Sequence, residues 1–321
     1  NGYGIGSFQQ WTSASAGGSS SLGLAPSYRS HISLSNPTTW SNLKFTFLSI
    51  SYNGFESSIK NNSKNGYSNL QSAQLIIPIK QKHALGIELH PYSFQKINLL
   101  DSLNSELIVF GDSVSMVKEY EQAGGIMSFN LSAASLIMSN TSIGFTFQLL
   151  FGSSRQRNNL NIDEIPYVLS SRLNFSGINA LLFVEHKINE LNFYFKSKIA
   201  LKPLEAVSTK LYPYFDANKN GYHDFVYDYL NPGYDFPDPN DVPGPEEKRL
   251  TDIHKPSSFG IGISKVFFDR LQFSLELEKN KDDSNFEIEM PNSFNNRMVS
   301  SSHFSLGLVW FPNDQSIQIF D

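Results

Sequence analysis

The 321-residue sequence contains no cysteine. This excludes disulfides, thiolate metal sites and a cysteine nucleophile, and it fits an exported bacterial protein. Charge is also scarce: Asp, Glu, Lys and Arg make up 17% of the chain, against about a quarter in soluble proteins. No apolar run approaches the roughly 18 residues of a membrane helix; the longest, 178–184, is far too short. The chain opens on Asn1 without a basic and then apolar leader, so a mature sequence with its signal peptide removed is expected. Were such a chain to span a membrane, only a closed β-barrel would serve, because backbone polar groups in lipid must be paired within the protein. There is no His-Glu-x-x-His, no Gly-x-Ser-x-Gly and no phosphate-cradling loop with a lysine, so no enzyme is expected. The absence of a basic cluster argues against a nucleic-acid partner.

What the chain does have is period-two alternation. Leu271, Phe273, Leu275 and Leu277 alternate with Gln272, Ser274, Glu276 and Glu278. The same pattern recurs in Leu191–Leu201, in Ile143–Phe151, in Phe259–Ile263, in Leu85–Leu89 and in Phe304–Trp310. About eleven such segments occur, mostly of ten or more residues, the length a transmembrane strand needs. Turns such as Asn189-Glu190 and Asp269-Arg270 are tight, whereas 56–69 and 203–256 read as long polar connections. That asymmetry also belongs to outer-membrane barrels. A soluble β-sandwich would alternate too. Against it, the polar faces carry mostly small uncharged groups, the apolar faces are rich in Phe and Leu, and charge is concentrated in the connections. The expected fold is an all-β transmembrane antiparallel barrel.

Two segments stand apart. Residues 1–42 are rich in Gly and Ser, with Arg29 their only Lys, Arg, Asp or Glu. So neutral a segment suits a plug that fills a lumen, giving an expected division into a plug, 1–42, and a barrel, 43–321. Residues 203–256 hold 8 of the 15 prolines and a net charge of −5, which leaves the rest of the chain neutral. A stiffened acidic loop of this size is expected to be functional or docking surface.

Within that loop, 216–224 reads Asp-Ala-Asn-Lys-Asn-Gly-Tyr-His-Asp. Alternating hard oxygen ligands ahead of a turn-permitting glycine open a calcium loop. Asp216, Asn218 and Asn220 would offer side-chain oxygens, Tyr222 its carbonyl, and Asp224 and Asp228 carboxylates. The twelfth position, normally Glu, is Tyr227, and no helix–loop–helix pattern surrounds the motif, so a sensor is not expected. The choice lies between a static Ca2+ clip and a polar Asn-Gly turn. Elsewhere, Lys196, Lys198, Glu88, Glu276 and Glu278 fall on the polar faces of strands, either as internal pairs or as a lining for a ligand's headgroup. His90 beside Glu88 and His186 beside Glu185 read as isolated lumen or rim histidines.

Gly17-Gly18-Ser19-Ser20-Ser21-Leu22-Gly23, leading to Ser35-Asn36-Pro37, resembles the start of FadL-like outer-membrane proteins, the family of the long-chain fatty-acid transporter and its Bacteroidetes-type relatives. His90-Pro91-Tyr92-Ser93 at the close of a strand, Tyr120 to Gly124-Gly125 at the opening of another, Phe151-Gly152-Ser153, and Trp310-Phe311-Pro312-Asn313 extend the likeness over most of 10–313. It implies a barrel of about 14 strands with an N-terminal plug, in the bacterial outer membrane. Further strands follow the Pro-Asn stretch in such relatives, whereas this sequence stops at Asp321, so C-terminal strands are expected to be missing. The implied function is uptake of a hydrophobic or amphipathic small molecule. The alternative is a docking subunit of an outer-membrane assembly, like the PorV type of type IX secretion, with a protein partner on 203–256.

Overall fold

The computed structural model of the chain describes residues 5–8, 14–19, 21–27, 32–59, 63–80, 82–109, 112–162, 165–217, 222–223, 235–268, 270–283 and 300–310. In chain order its strands are β1 Ser7–Phe8, β2 Phe47–Ile59, β3 Ser63–Ile79, β4 His83–Val109, β5 Asp112–Met138, β6 Thr141–Ile162, β7 Ile165–Ile188, β8 Leu191–Lys210, β9 Tyr214–Phe215, β10 Glu246–His254, β11 Pro256–Phe267, β12 Leu271–Asp282 and β13 Ser300–Trp310. Helical structure among the described residues is confined to Ala14–Gly18 and a 3-10 turn, Pro37–Asn42. All strands join one sheet, ordered β2-β3-β4-β5-β6-β7-β8-β11-β12-β13, with β1 added to β4, β9 to β7 and β10 to β8. Every pairing is antiparallel, and each long strand pairs with its sequence neighbours, so the topology is an up-and-down meander. Among the described residues β2 and β13 do not pair with each other, so the wall is not closed between them.

The sheet wears its apolar face outward. On β11, Phe259, Ile261 and Ile263 are exposed while Ser258, Gly260, Gly262 and Ser264 are buried. On β12, Gln272, Ser274 and Glu276 are buried while Phe273, Leu275 and Leu277 are exposed. Cross-strand register puts like with like, Ile261 opposite both Leu277 and Phe195. Water would favour the reverse arrangement, because exposed contiguous apolar surface is costly and buried Gln and Glu lose their hydration. A hydrocarbon surround reconciles the two faces. Phe268 and Trp310, at the ends of strands beside the tight turns, are strongly exposed, as in the aromatic girdle of a barrel.

The strands outrun the apolar band. β4 and β5 have 27 residues each, where a membrane crossing takes about 9–11. This corrects three sequence expectations at once. His90–Ser93, Tyr120–Gly125 and Phe151–Ser153 are not strand ends but lie mid-strand, and the ladder continues beyond them. Most of 56–69 is paired strand, Ser57 opposite Asn65 for example. Residues 203–210, 246–254 and 256 are strand as well, so the stretch between β8 and β10 is 211–245. Above the lipid both faces meet polar surroundings, apolar alternation ceases, and a ladder there looks like loop in the sequence.

The sheet is also strongly curved. The Tyr92 hydroxyl on β4 is 2.8 Å from Nε2 of His254 on β10. β5, β6, β7 and β8 lie between them in the sheet, so a flat sheet would hold them about 24 Å apart. Glycines ease the bend. Gly124 and Gly152 have φ of +137° and +152°, and a Cβ on either would come within 2.2 Å and 2.3 Å of the neighbouring strand's carbonyl oxygen. With the register shift at Pro91/Ser93 they form a row across β4, β5 and β6. Three of the short motifs behind the family resemblance thus belong to one feature.

Ile261→Arg places a charge in the middle of the apolar band. The expected cost is about 2–4 kcal/mol, read as a shifted urea midpoint for folding into lipid vesicles. Ser264→Arg on the inner face should not reproduce that lipid-dependent shift.

Candidate functional site

The inner face of the curved sheet is occupied. Trp40 lies over Gly86 of β4, Pro37 and Thr38 over Gly144 of β6, and Leu24 against Gly260 and Gly262 of β11. A Cβ at Gly86 would come within 2.3 Å of the Trp40 ring, so this wall position must be glycine for the indole to seat. Described residues of 21–43 therefore reach from one side of the wall to the other. Because the segment is irregular, its backbone groups need partners that a ladder would otherwise give. Short polar side chains supply them: Thr39 Oγ1 accepts from Ser33 N at 2.9 Å, Trp40 Nε1 donates to Ser33 O at 2.9 Å, and Asn36 Nδ2 donates to Leu24 O at 2.9 Å. The neutral Ser/Thr/Asn composition read in the sequence has this use.

The wall contributes the rest. Gln74 Nε2 donates to Leu34 O at 2.7 Å and Gln272 Nε2 to Pro26 O at 2.8 Å. Glu276, fully buried on β12, accepts from Ser21 Oγ at 3.0 Å, from Leu22 N at 2.6 Å and from Ala25 N at 2.8 Å.

Beside this segment lies a cavity of about 400 Å3. Leu22, Trp40, Leu181 and Phe183 give it an apolar side, and it reaches the loop end of β12 and β13 at Asn280 and Ser300. Four of the five charged residues the sequence placed on polar strand faces, Glu88, Lys196, Lys198 and Glu278, gather here. Lys196 and Glu278 form a two-oxygen ion pair at 3.0 and 3.2 Å. Glu88 accepts from Asn130 Nδ2 at 2.9 Å, and the same amide lies 3.2 Å from Nε2 of His90. His90 Nδ1 faces the Pro91 carbonyl at 3.0 Å, an acceptor only, which assigns the ring proton to Nδ1. His90 and Glu88 thus share a network, whereas His186 is at the turn end, bonded to Thr141.

A second chain of groups was not foreseen from the sequence. Lys198 Nζ donates to the Tyr92 hydroxyl at 3.1 Å. That hydroxyl meets His254 Nε2, and His254 Nδ1 meets Asp282 Oδ2 at 2.6 Å. Donors and acceptors match from end to end when His254 is neutral and protonated at Nδ1. Phe8 stacks on His254 with ring centroids 4.9 Å apart and packs edge-on to Tyr92. Four separate strands supply these polar groups, so no local spacing could announce them. Above the cavity Tyr92, Ile126, Leu150, Phe175, Leu204 and Ile253 close into an apolar cluster.

Of the proposed calcium ligands, Asp216 is buried and Tyr222 is exposed; Asn218, Asn220, Asp224 and Asp228 lie outside the described residues. Asp235, not singled out in the sequence, is buried and accepts from Ala217 N at 3.1 Å. Among the described residues no group of three or more His, Cys, Asp or Glu could hold a metal ion. The connection is nonetheless built: β9 pairs with β7, Phe215 bridges Phe236, and Tyr214 stacks on His223 at 4.5 Å. Exposed aromatics ring it, Tyr167, Tyr212, Tyr222 and Phe236. Arg155 lies over the Tyr222 ring at 5.7 Å, and its hydrogen bond and charge draw the phenol pKa below the ordinary value.

A family model described as BamG matches residues 1–320. Among solved structures, the crystal structure of a Pseudomonas aeruginosa FadL homologue is similar, with a TM-score of 0.55 and 13% identity, over 96% of this chain and 78% of that one. No curated protein matches.

Glu276→Ala removes one acceptor shared by three donors, each charge-assisted bond worth about 1.5–3 kcal/mol. The expected result is faster proteolysis within residues 21–27, with the barrel still resistant to cold SDS.

Proposed function

Because this chain belongs to the BamG family and has the fold of FadL-like outer-membrane barrels, we propose that it acts as a docking subunit of an outer-membrane protein assembly. The family name points to an assembly-related role, and FadL-like barrels are not an enzyme family. The observation that carries the reading is the aromatic surface of the 211–245 connection. Tyr167, Tyr222 and Phe236 are exposed beyond the apolar band, with Arg155 against Tyr222. Lipid does not cover them there, and aromatic plus Arg is the composition of interface hot spots. The partner is a protein. The occupied inner face supports the same reading: Leu24, Pro37, Thr38 and Trp40 seat against wall glycines, and an apolar cluster packs around Ile126.

Uptake of a hydrophobic molecule is the second reading, favoured by that apolar cluster and the one-sided apolar lining of the cavity. Native mass spectrometry of the protein extracted from its own outer membrane separates the two. A stoichiometric second polypeptide is expected, lost in the variant Tyr222→Ser with Phe236→Ser while the barrel remains folded. A stoichiometric lipid or fatty-acid adduct without any polypeptide overturns the docking role in favour of uptake.

For the connection itself we propose a static Ca2+ clip on Asp216, Asn218, Asn220, Tyr222, Asp224 and Asp228, resting on the alternating oxygen ligands and the glycine. Millimolar Ca2+ should protect 217–235 from protease, and Asp216→Asn should abolish the protection. Equal cleavage with Ca2+ and with chelator would leave a plain polar turn.

A further inference from the structure

We propose that the luminal cavity is a binding site for a short zwitterion of tripeptide size, its amine held by Glu88 and its carboxylate by Lys198. Charge accounting leads there. Of the charged groups that line the cavity, Lys196 and Glu278 neutralise each other, Lys281 pairs with Asp283, and both oxygens of Asp282 are occupied, one by His254 Nδ1 and the other by Lys255 N. Glu88 and Lys198 are left. Glu88 is more than nine-tenths buried, and its hydrogen-bond donor is the neutral Asn130 amide. Lys198 touches the Tyr92 hydroxyl and the face of its ring, a neutral partner. A buried charge without a counter-charge is costly; Glu88 is buried, Lys198 is half-buried, and both face one cavity.

The spacing selects the ligand. Lys198 reaches the Tyr92 hydroxyl, and Glu88 is four residues nearer the tight-turn end of β4, a strand distance of about 13 Å. An extended tripeptide of about 10 Å, with a hydrogen bond of about 2.8 Å at either end, bridges such a gap. The volume of about 400 Å3 falls within the range of small-molecule sites. A fatty acid would answer Lys198 but would lay its tail against Glu88. A zwitterion satisfies both ends, and Leu181 and Phe183 line the same cavity. Lumen and outer connection are separate surfaces, so this site stands or falls independently of the docking role.

Calorimetry on the whole chain in a nonionic detergent tests it with three probes: tri-alanine, acetyl-tri-alanine and tri-alanine amide. Tri-alanine should bind, and capping either end should weaken binding at least about tenfold. Glu88→Gln should erase the penalty for capping the amine and keep that for capping the carboxylate. Lys198→Gln should do the converse. That crossed pattern is one that simple unfolding cannot produce. No heat up to about millimolar tri-alanine, equal binding of all three probes, or both variants losing both preferences overturns the proposal. So does binding of octanoate that depends on Lys198 and ignores Glu88.

Discussion

A single buried carboxylate holds two parts of this molecule together. Glu276 sits on the inner face of β12, where its neighbours in the alternation are lipid-facing leucines. Removed from bulk water, an anion needs several donors, and it finds three in residues 21–25. The described residues of 21–43 in turn have no ladder of their own and take partners from the wall. Each side leaves the other with an unmet polar demand. The position of 21–43 therefore follows from polar satisfaction more than from apolar contact, although Leu24 and Trp40 then fill the remaining space. The cavity is what remains beside a segment fixed in this way.

Curvature has a second set of consequences. Bringing β4 to β10 and β12 makes neighbours of Tyr92, His254 and Asp282, residues remote in both sequence and sheet order. The hydrogen-bond chain from Lys198 to Asp282 spans the lumen like a strut. It has a matched donor at each junction, so it stiffens the wall while leaving the Lys198 ammonium without a carboxylate. The glycines of β5 and β6 permit the bend, because a side chain at Gly124 or Gly152 would strike the adjacent backbone.

Much of the fold could be read in advance, and the reason is solvent. Within lipid, outward residues must be apolar and inward ones polar, so Leu271–Glu278 or Phe259–Ile263 announce strand and face together. The same reasoning located Glu88, Lys196, Lys198, Glu276 and Glu278 on the inner face. It stopped where lipid stops: the ladder around 57–59 and 63–69, the upper halves of β4 and β5, and the strand ends at 203–210 and 246–254 carry no alternation and passed for connection. Partners were less legible than faces. Glu276 looked like Glu278, yet one binds the N-terminal segment and the other a lysine, a difference set by which residues lie across the lumen. His254 and Asp282 gave no signal, since their meeting depends on curvature. The calcium motif is plain in sequence, but most of its ligands lie outside the described residues.

The excess length of β4 and β5 matters for where this protein can be touched. A strand of 27 residues measures about 89 Å along its axis; tilted at about 40°, it rises near 68 Å, against an apolar band about 25 Å tall. Some 40 Å of sheet then stands clear of the hydrocarbon, a rigid mast on a fixed foot. A protein meeting this mast need not enter the bilayer. It can be wholly aqueous or tethered by a lipid and still find ordered backbone.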